Sequence, residues 1–296
     1  MDKPIKLEFE SWDTSASYSI NSIEWSPNGK SLIFSHRHEL YLADTSTGEA
    51  RKLFDTGDWV GQPCVVWSRN GEDFLFLMNS EICASNVKNG EPKVIGRGKR
   101  FCWSPRNSEE IIFWNDMGSF ISDLYGNVRP AHYENGVLSP NGSLIIRKPE
   151  LKSRVEICKS DGSNPYYLDS MVRYDRGSQI WADEVIWGQD NNLLVFWQKS
   201  DRGRIYAVNL ERSSLEFIVY GESPKLSPDG KKVLYVDNRA APKKLSASLL
   251  SAGANGSTEI TMSEGEELLY GYAWSPSSDQ VAYSRGVEIF IKEYKP

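Results

Sequence analysis

The chain alternates short apolar runs with tight polar turns. The first instance is Ile20 to Trp25, a turn at Ser26-Pro27-Asn28-Gly29-Lys30, then Ser31-Leu32-Ile33-Phe34. Proline fixes φ, while asparagine and glycine accept positive φ, so the Pro-Asn-Gly step reverses the chain. The flanking aromatic and β-branched residues predict strands. One such hairpin cannot bury both of its faces and needs neighbours.

The neighbours are repeats of the same pattern. Trp67-Ser68-Arg69-Asn70-Gly71, Trp103-Ser104-Pro105-Arg106-Asn107 and Leu138-Ser139-Pro140-Asn141-Gly142 each precede an apolar triplet. So do Leu226-Ser227-Pro228-Asp229-Gly230, Trp274-Ser275-Pro276-Ser277-Ser278 and a degenerate copy, Trp187-Gly188-Gln189-Asp190-Asn191. The leading Trp or Leu positions fall 42, 36, 35, 49, 39 and 48 residues apart. A period near 40 with several short strands per unit predicts an all-β, seven-bladed β-propeller of four-stranded blades, strands A to D. Six blades is the alternative, should the unit at Trp187 merge with a neighbour. No linker or composition shift interrupts the pattern, so residues 1–296 read as one domain.

In the first unit strand A is Ile20 to Trp25, B is Ser31 to Ser35, C is Glu39 to Ala43 and D is Arg51 to Phe54. The seventh unit stops after its strand C, Val287 to Tyr294. The alternating segment Ile5 to Glu10 is left over, and it is expected to supply the missing strand. That pairing removes an exposed sheet edge.

Composition narrows the class. The 296 residues are 40% hydrophobic and 25% charged, as in a folded globular chain, with a formal net charge of −6. That balance lacks the basic field of nucleic-acid binders. No apolar run approaches the ~20 residues of a membrane span, and the N-terminus lacks the apolar core of a secretory signal. The expectation is a cytoplasmic monomer. The four cysteines, Cys64, Cys83, Cys102 and Cys158, follow no metal spacing and read as buried thiols.

The Trp-Ser-Pro-Asp/Asn-Gly-Lys pattern, an apolar triplet, and a strand ending near Asp-x-x-x-Gly resemble the WD-type repeats of TolB-like propellers. The resemblance covers essentially the whole chain and implies a fold, not a function. The chain departs from the family in several ways. With the first signature at Trp25 there is no room for the N-terminal α/β domain of TolB itself. TolB propellers usually have six blades. No unit carries the Gly-His pair and Trp-Asp ending of true WD repeats. The Gly-x-Ser-x-Gly elbow of propeller-capped peptidases is absent. The metal-binding histidines of oligogalacturonate lyases find no residue-by-residue match.

Candidate chemistry falls on the connections from D to A and from B to C, which differ between units, as functional loops do. Trp12, Trp59 and Trp181 lie in D–A connections and Trp114 and Trp197 end B strands. Aromatic groups there can stack on a ligand or anchor a protein. Beside them stand Asp58, Asp183, Glu184, Arg100, Arg202 and Tyr270. The mixture suits a protein partner or a small polar ligand. The pair His36 and His38 could hold a metal with Glu39 or Asp13, but solvated loop residues explain them as well, so no metal or cofactor is assigned. Paired carboxylates such as Asp183 with Glu184 could do acid–base work. Yet nothing marks a nucleophile, a phosphate loop or a dinucleotide site. Two readings stay open. One is a non-catalytic binding or scaffolding propeller. The other is a small lyase, cyclase or hydrolase acting on a polar or carbohydrate-like substrate, with Glu134, His36, Asp183 or Glu184 as acid–base groups and Arg100 or Arg202 as charge stabilisers.

Overall fold

Every A–B hairpin turns on the residue after the repeat Trp or Leu. In the computed structural model Ser26 is fully buried. Its hydroxyl donates to Asn28 Oδ1 at 2.8 Å and accepts from the Ser31 N–H at 3.0 Å. Ser139 and Ser227 repeat both bonds with Asn141 and Asp229. Gly29, Gly142 and Gly230 follow with φ of +72°, +69° and +68°. The Ser-Pro-Asn-Gly spelling is therefore one buried hydroxyl and one left-handed residue, which satisfy the turn's backbone groups without water.

The structure describes residues 5–6, 20–57, 65–88, 90–98, 100–147, 154–173, 179–199, 203–237, 239, 244–250, 260–263, 271–286 and 288–294. Seven four-stranded antiparallel sheets account for the strands, in the all-β, seven-bladed propeller fold. Blade 1 runs Ile20–Trp25, Ser31–His36, Glu39–Asp44 and Ala50–Asp55. Blade 4 runs Val137–Leu138, Leu144–Arg147, Glu156–Lys159 and Tyr166–Tyr167. Blade 5 runs Glu184–Trp187, Leu193–Gln198, Arg204–Asn209 and Ser214–Val219. The degenerate repeat at Trp187 is thus a full blade.

Blade 7 takes strands A to C from Tyr272–Trp274, Gln280–Arg285 and Glu288–Glu293. Its fourth strand comes from the N-terminus, as expected: Ile5 pairs with Ile291 and Lys6 with Phe290. Residues 7–10 of the expected strand lie outside the described residues.

Two compact units are distinguished. Met1–Ala131 with Glu267–Lys295 holds blades 1, 2, 3 and 7, and His132–Glu266 with Pro296 holds blades 4, 5 and 6. Within each, the B and C strands are buried on both faces. Leu32 and Phe34 pack with Ala282, Ile289 and Ile291 of blade 7. Ile33, between them, packs with Phe74 and Phe76 of blade 2. Successive strand residues point to opposite faces, so a sheet covered on both sides needs a continuous apolar triplet. In the second unit Ile146 and Ile157 of blade 4 share a core with Phe196, Tyr206 and Val208 of blade 5.

Candidate functional site

The connection from blade 4 to blade 5 is the longest D–A connection of the second unit and carries its own core. After Tyr166–Tyr167 the chain makes one 3-10 turn, Leu168–Ser170. Leu168, Val172, Ile180 and Ala182 are buried in the core shared by the two blades. Their apolar side chains pull the segment against the sheets rather than into water. Ile180 and Trp181 return antiparallel to the residues before strand C of blade 4. The Val155 N–H donates to the Ile180 carbonyl at 2.9 Å, and Arg154 bridges Trp181.

Asp169 locks this return in place. Its carboxylate accepts from the Ile180 N–H at 2.8 Å and from Arg154 through both Nε and Nη2. The Asp169 side chain is 4% exposed and that of Arg154 34%. Burial alone would raise the Asp169 pKa, but the bonds from Arg154 and Ile180 outweigh it and hold the carboxyl below its ordinary value. The Arg154 guanidinium lies over the Tyr167 ring, 3.8 Å from its centroid. A cation held over an aromatic face and forked to a carboxylate loses little further freedom on binding.

Four of the sequence-selected residues meet at the start of blade 5. The Gln198 amide donates to the Trp181 carbonyl at 2.8 Å. The Asp183 N–H donates to the Trp197 carbonyl at 2.9 Å, and the Asp183 carboxylate accepts from the Lys199 N–H at 2.6 Å. Glu184 pairs with Trp197 across the sheet. Trp181 is half-buried. Trp197, expected to face a ligand, is half-buried as well and packs into the core between blades 5 and 6, where its indole N–H is buried without a partner.

Arg100 belongs to the first unit, in blade 3, in register with the buried Trp114. Trp12, Asp58, Trp59, Arg202 and Tyr270 lie outside the described residues. His36 is 4% exposed, and the His38 carbonyl accepts from Thr56 through both N–H and hydroxyl. Among the described residues no group of three or more His, Cys, Asp or Glu side chains could hold a metal ion.

Sequence reasoning passed over Arg154, Tyr167 and Asp169. The available signal was the 49-residue spacing from Leu138 to Trp187, the longest in the chain. A long connection inside a compact fold is usually functional.

No protein-family model and no curated protein matches the chain. Solved structures do. The chain is similar to the β-propeller domain of Myceliophteria thermophila Cps50 (Swd1), at 14% identity over 95% of this chain and 98% of that one, with a TM-score of 0.65. It is similar to an oligogalacturonate lyase from Vibrio parahaemolyticus, at 15% identity over 99% and 98%, with a TM-score of 0.67. A chain of a mitotic checkpoint complex matches at 14% identity over 93% and 87%, with a TM-score of 0.63. At such identities the likeness is one of fold. The class is the β-propeller, and the resemblance of the Trp-Ser-Pro-Asn-Gly units to propeller repeats holds at that level. Among the described residues no helix is long and apolar enough to cross a membrane.

Proposed function

We propose that the chain is a non-catalytic binding or scaffolding module that holds a partner protein or polar ligand through its D–A and B–C connections. One observation carries this reading. The connection entering blade 5 is clamped by Asp169 yet leaves Arg154, Tyr167 and Trp181 partly exposed. Rigid aromatic and arginine side chains contribute most to binding because little entropy is lost in ordering them. On this reading Trp12, Trp59 and Trp181 are the aromatic anchors. Asp58, Asp183, Arg202 and Tyr270 belong to the same class of connections, Arg100 and Glu184 open A strands that follow them, and Trp197 packs between blades 5 and 6. Two of the similar structures are an assembly subunit and a propeller domain by their names, which fits a scaffold.

The enzymatic alternative has less behind it. The Asp183 carboxylate accepts a backbone N–H, and Asp169 is committed to Arg154 and Ile180. The test is affinity capture from lysate with the intact chain and with a Trp59→Ala/Trp181→Ala double variant. The reading expects specific partners that the double variant loses. Capture of the same partners at equal yield would overturn it.

A further inference from the structure

The outermost strand of blade 5 differs chemically from those of blades 1 to 3. Each sheet ends at its strand D, and an end strand offers backbone N–H and C=O groups to other chains. Cations, proline and shortness protect such an edge. In blade 1, strand D carries Arg51 and Lys52, and Lys52 pairs with Glu39 of strand C. In blade 2 it is Lys93–Arg97, and Arg97 pairs with Glu81 of strand C at 3.0 Å. In blade 3 it is Val128–Pro130, three residues ending in proline, and Arg129 pairs with Glu110 of strand B at 2.9 Å. In blade 4 it has two residues, Tyr166–Tyr167.

Blade 5 reverses the sign. Its strand D, Ser214–Val219, contains no lysine, arginine or proline, and its one charge is Glu216. Glu216 is exposed, and the residue opposite it on strand C is Ala207. Among the described residues no side chain pairs with its carboxylate. The residues on either side point the other way. Leu215 and Phe217, in register with Val208 and Tyr206, pack half-buried on the core of blades 4 and 5. The Phe217 ring meets that of Tyr206 edge-on at 5.6 Å. Beyond a break in register, Ile218 and Val219 are buried in the core between blades 5 and 6. The open part of the edge is therefore Ser214 to Phe217.

We propose that this edge of blade 5 accepts an added strand, an extended segment of a partner protein with a lysine or arginine facing Glu216. Apolar residues before and after that cation face Leu215 and Phe217. The added strand does for blade 5 what Lys52, Arg97 and Arg129 do in blades 1 to 3, where a cation on the outer strand meets a carboxylate further in. Main-chain hydrogen bonds supply the affinity, and the alternating side chains supply the choice of segment. Opposite charges across a strand pair stabilise it and like charges destabilise it. The same strand of a second copy has no cation to place against Glu216. The edge lies outside the D–A and B–C connections, so it adds a second surface to the one proposed above.

The test uses the full chain and three end-capped, fluorophore-labelled peptides: Thr-Val-Lys-Val-Thr, Thr-Val-Glu-Val-Thr, and the lysine peptide with every backbone nitrogen methylated. The lysine peptide is expected to bind and to slow amide exchange within Ser214 to Phe217. The glutamate peptide should bind about tenfold more weakly. The methylated peptide keeps the charge but has no N–H groups to donate, and it should not bind. A Glu216→Lys variant should keep its melting temperature and reverse the preference, taking the glutamate peptide over the lysine one. Binding of the methylated peptide as tight as that of its parent would reduce the effect to charge alone and overturn the proposal. So would an unchanged preference in Glu216→Lys, or no binding of the lysine peptide. A dimer of the unliganded chain that Glu216→Lys abolishes would assign the edge to a second copy and overturn it as well.

Discussion

The indole N–H of Trp103 donates to the backbone carbonyl of Val66 at 2.9 Å, so a side chain of blade 3 closes on strand A of blade 2. Trp67 reaches Glu24, Trp25 reaches Ala273 and Trp187 reaches Val137 in the same way. Each acceptor stands one residue before the repeat Trp or Leu of the preceding blade. The repeat tryptophan is therefore a blade-to-blade link as well as a packing residue.

Trp103→Phe should keep most of the apolar contact and lose this bond. The expected cost is about 1 kcal/mol in denaturant unfolding. Trp103→Ala removes the ring too and should cost about 3 kcal/mol. Equal costs for the two would show that the indole N–H contributes nothing.

Asp169 makes stability depend on acid. Its folded pKa lies below the unfolded one, burial notwithstanding, because Arg154 and Ile180 hydrogen-bond the charged form. Such a group stabilises the fold fully above its unfolded pKa, and the contribution is lost as pH falls through the folded value. Asp169→Asn should cost about 2 kcal/mol at neutral pH, where one charged bond set is lost. The variant's melting temperature should then fall less than wild type's between neutral and strongly acidic buffer. Parallel pH profiles would refute the assignment.

Gly203 has φ of +60°, and a Cβ there would stand 2.0 Å from the Gly221 carbonyl oxygen and 2.9 Å from the Trp197 indole nitrogen. Gly90 has a similar φ of +56° with nothing within 4 Å. Gly90→Ala should therefore cost about 1 kcal/mol, from backbone conformation alone. Gly203→Ala should cost at least about 3 kcal/mol, because backbone must also move. Chemical denaturation of both variants checks the difference.

Burial pushes the Cys102 thiol up to about 12 and the Cys83 thiol up to about 11, and it raises Cys158 as well. Alkylation requires the thiolate. With native protein at pH 8, these three cysteines should label far more slowly than in denaturant, as read by peptide mass spectrometry. Fast native labelling of Cys83 would contradict the packing of blade 2.

Removing residues 1–10 should unpair Glu288–Glu293, the partner of Ile5 and Lys6. An open strand edge recruits other chains. The truncated protein is expected to melt lower and to aggregate with rising concentration. An unchanged melting curve would show that the N-terminal pairing is dispensable.

The local part of this architecture was legible in the residues. Strand A of blade 1 was expected at Ile20 to Trp25 and is found there, and strand B extends one residue further, to His36. The pairing of the N-terminal strand with the seventh unit followed from counting strands. These features depend on residues within one hairpin or on the period of the repeat. The blade count and the turn chemistry therefore survive even the degenerate copy at Trp187.

What each tryptophan does could not be read the same way. Trp181 and Trp197 look alike in sequence, both near the start or end of a strand. One is tied by its backbone to Arg154 and Gln198, and the other is sunk between two blades with its N–H buried. The Arg154–Asp169 fork joins the residue just ahead of strand C of blade 4 to the turn after its strand D, 15 residues on, and neither end is a repeat position that could announce it. Periodicity along a chain reports which face of a sheet a side chain takes. What waits on that face is set by another segment, and only the packed structure brings the two together.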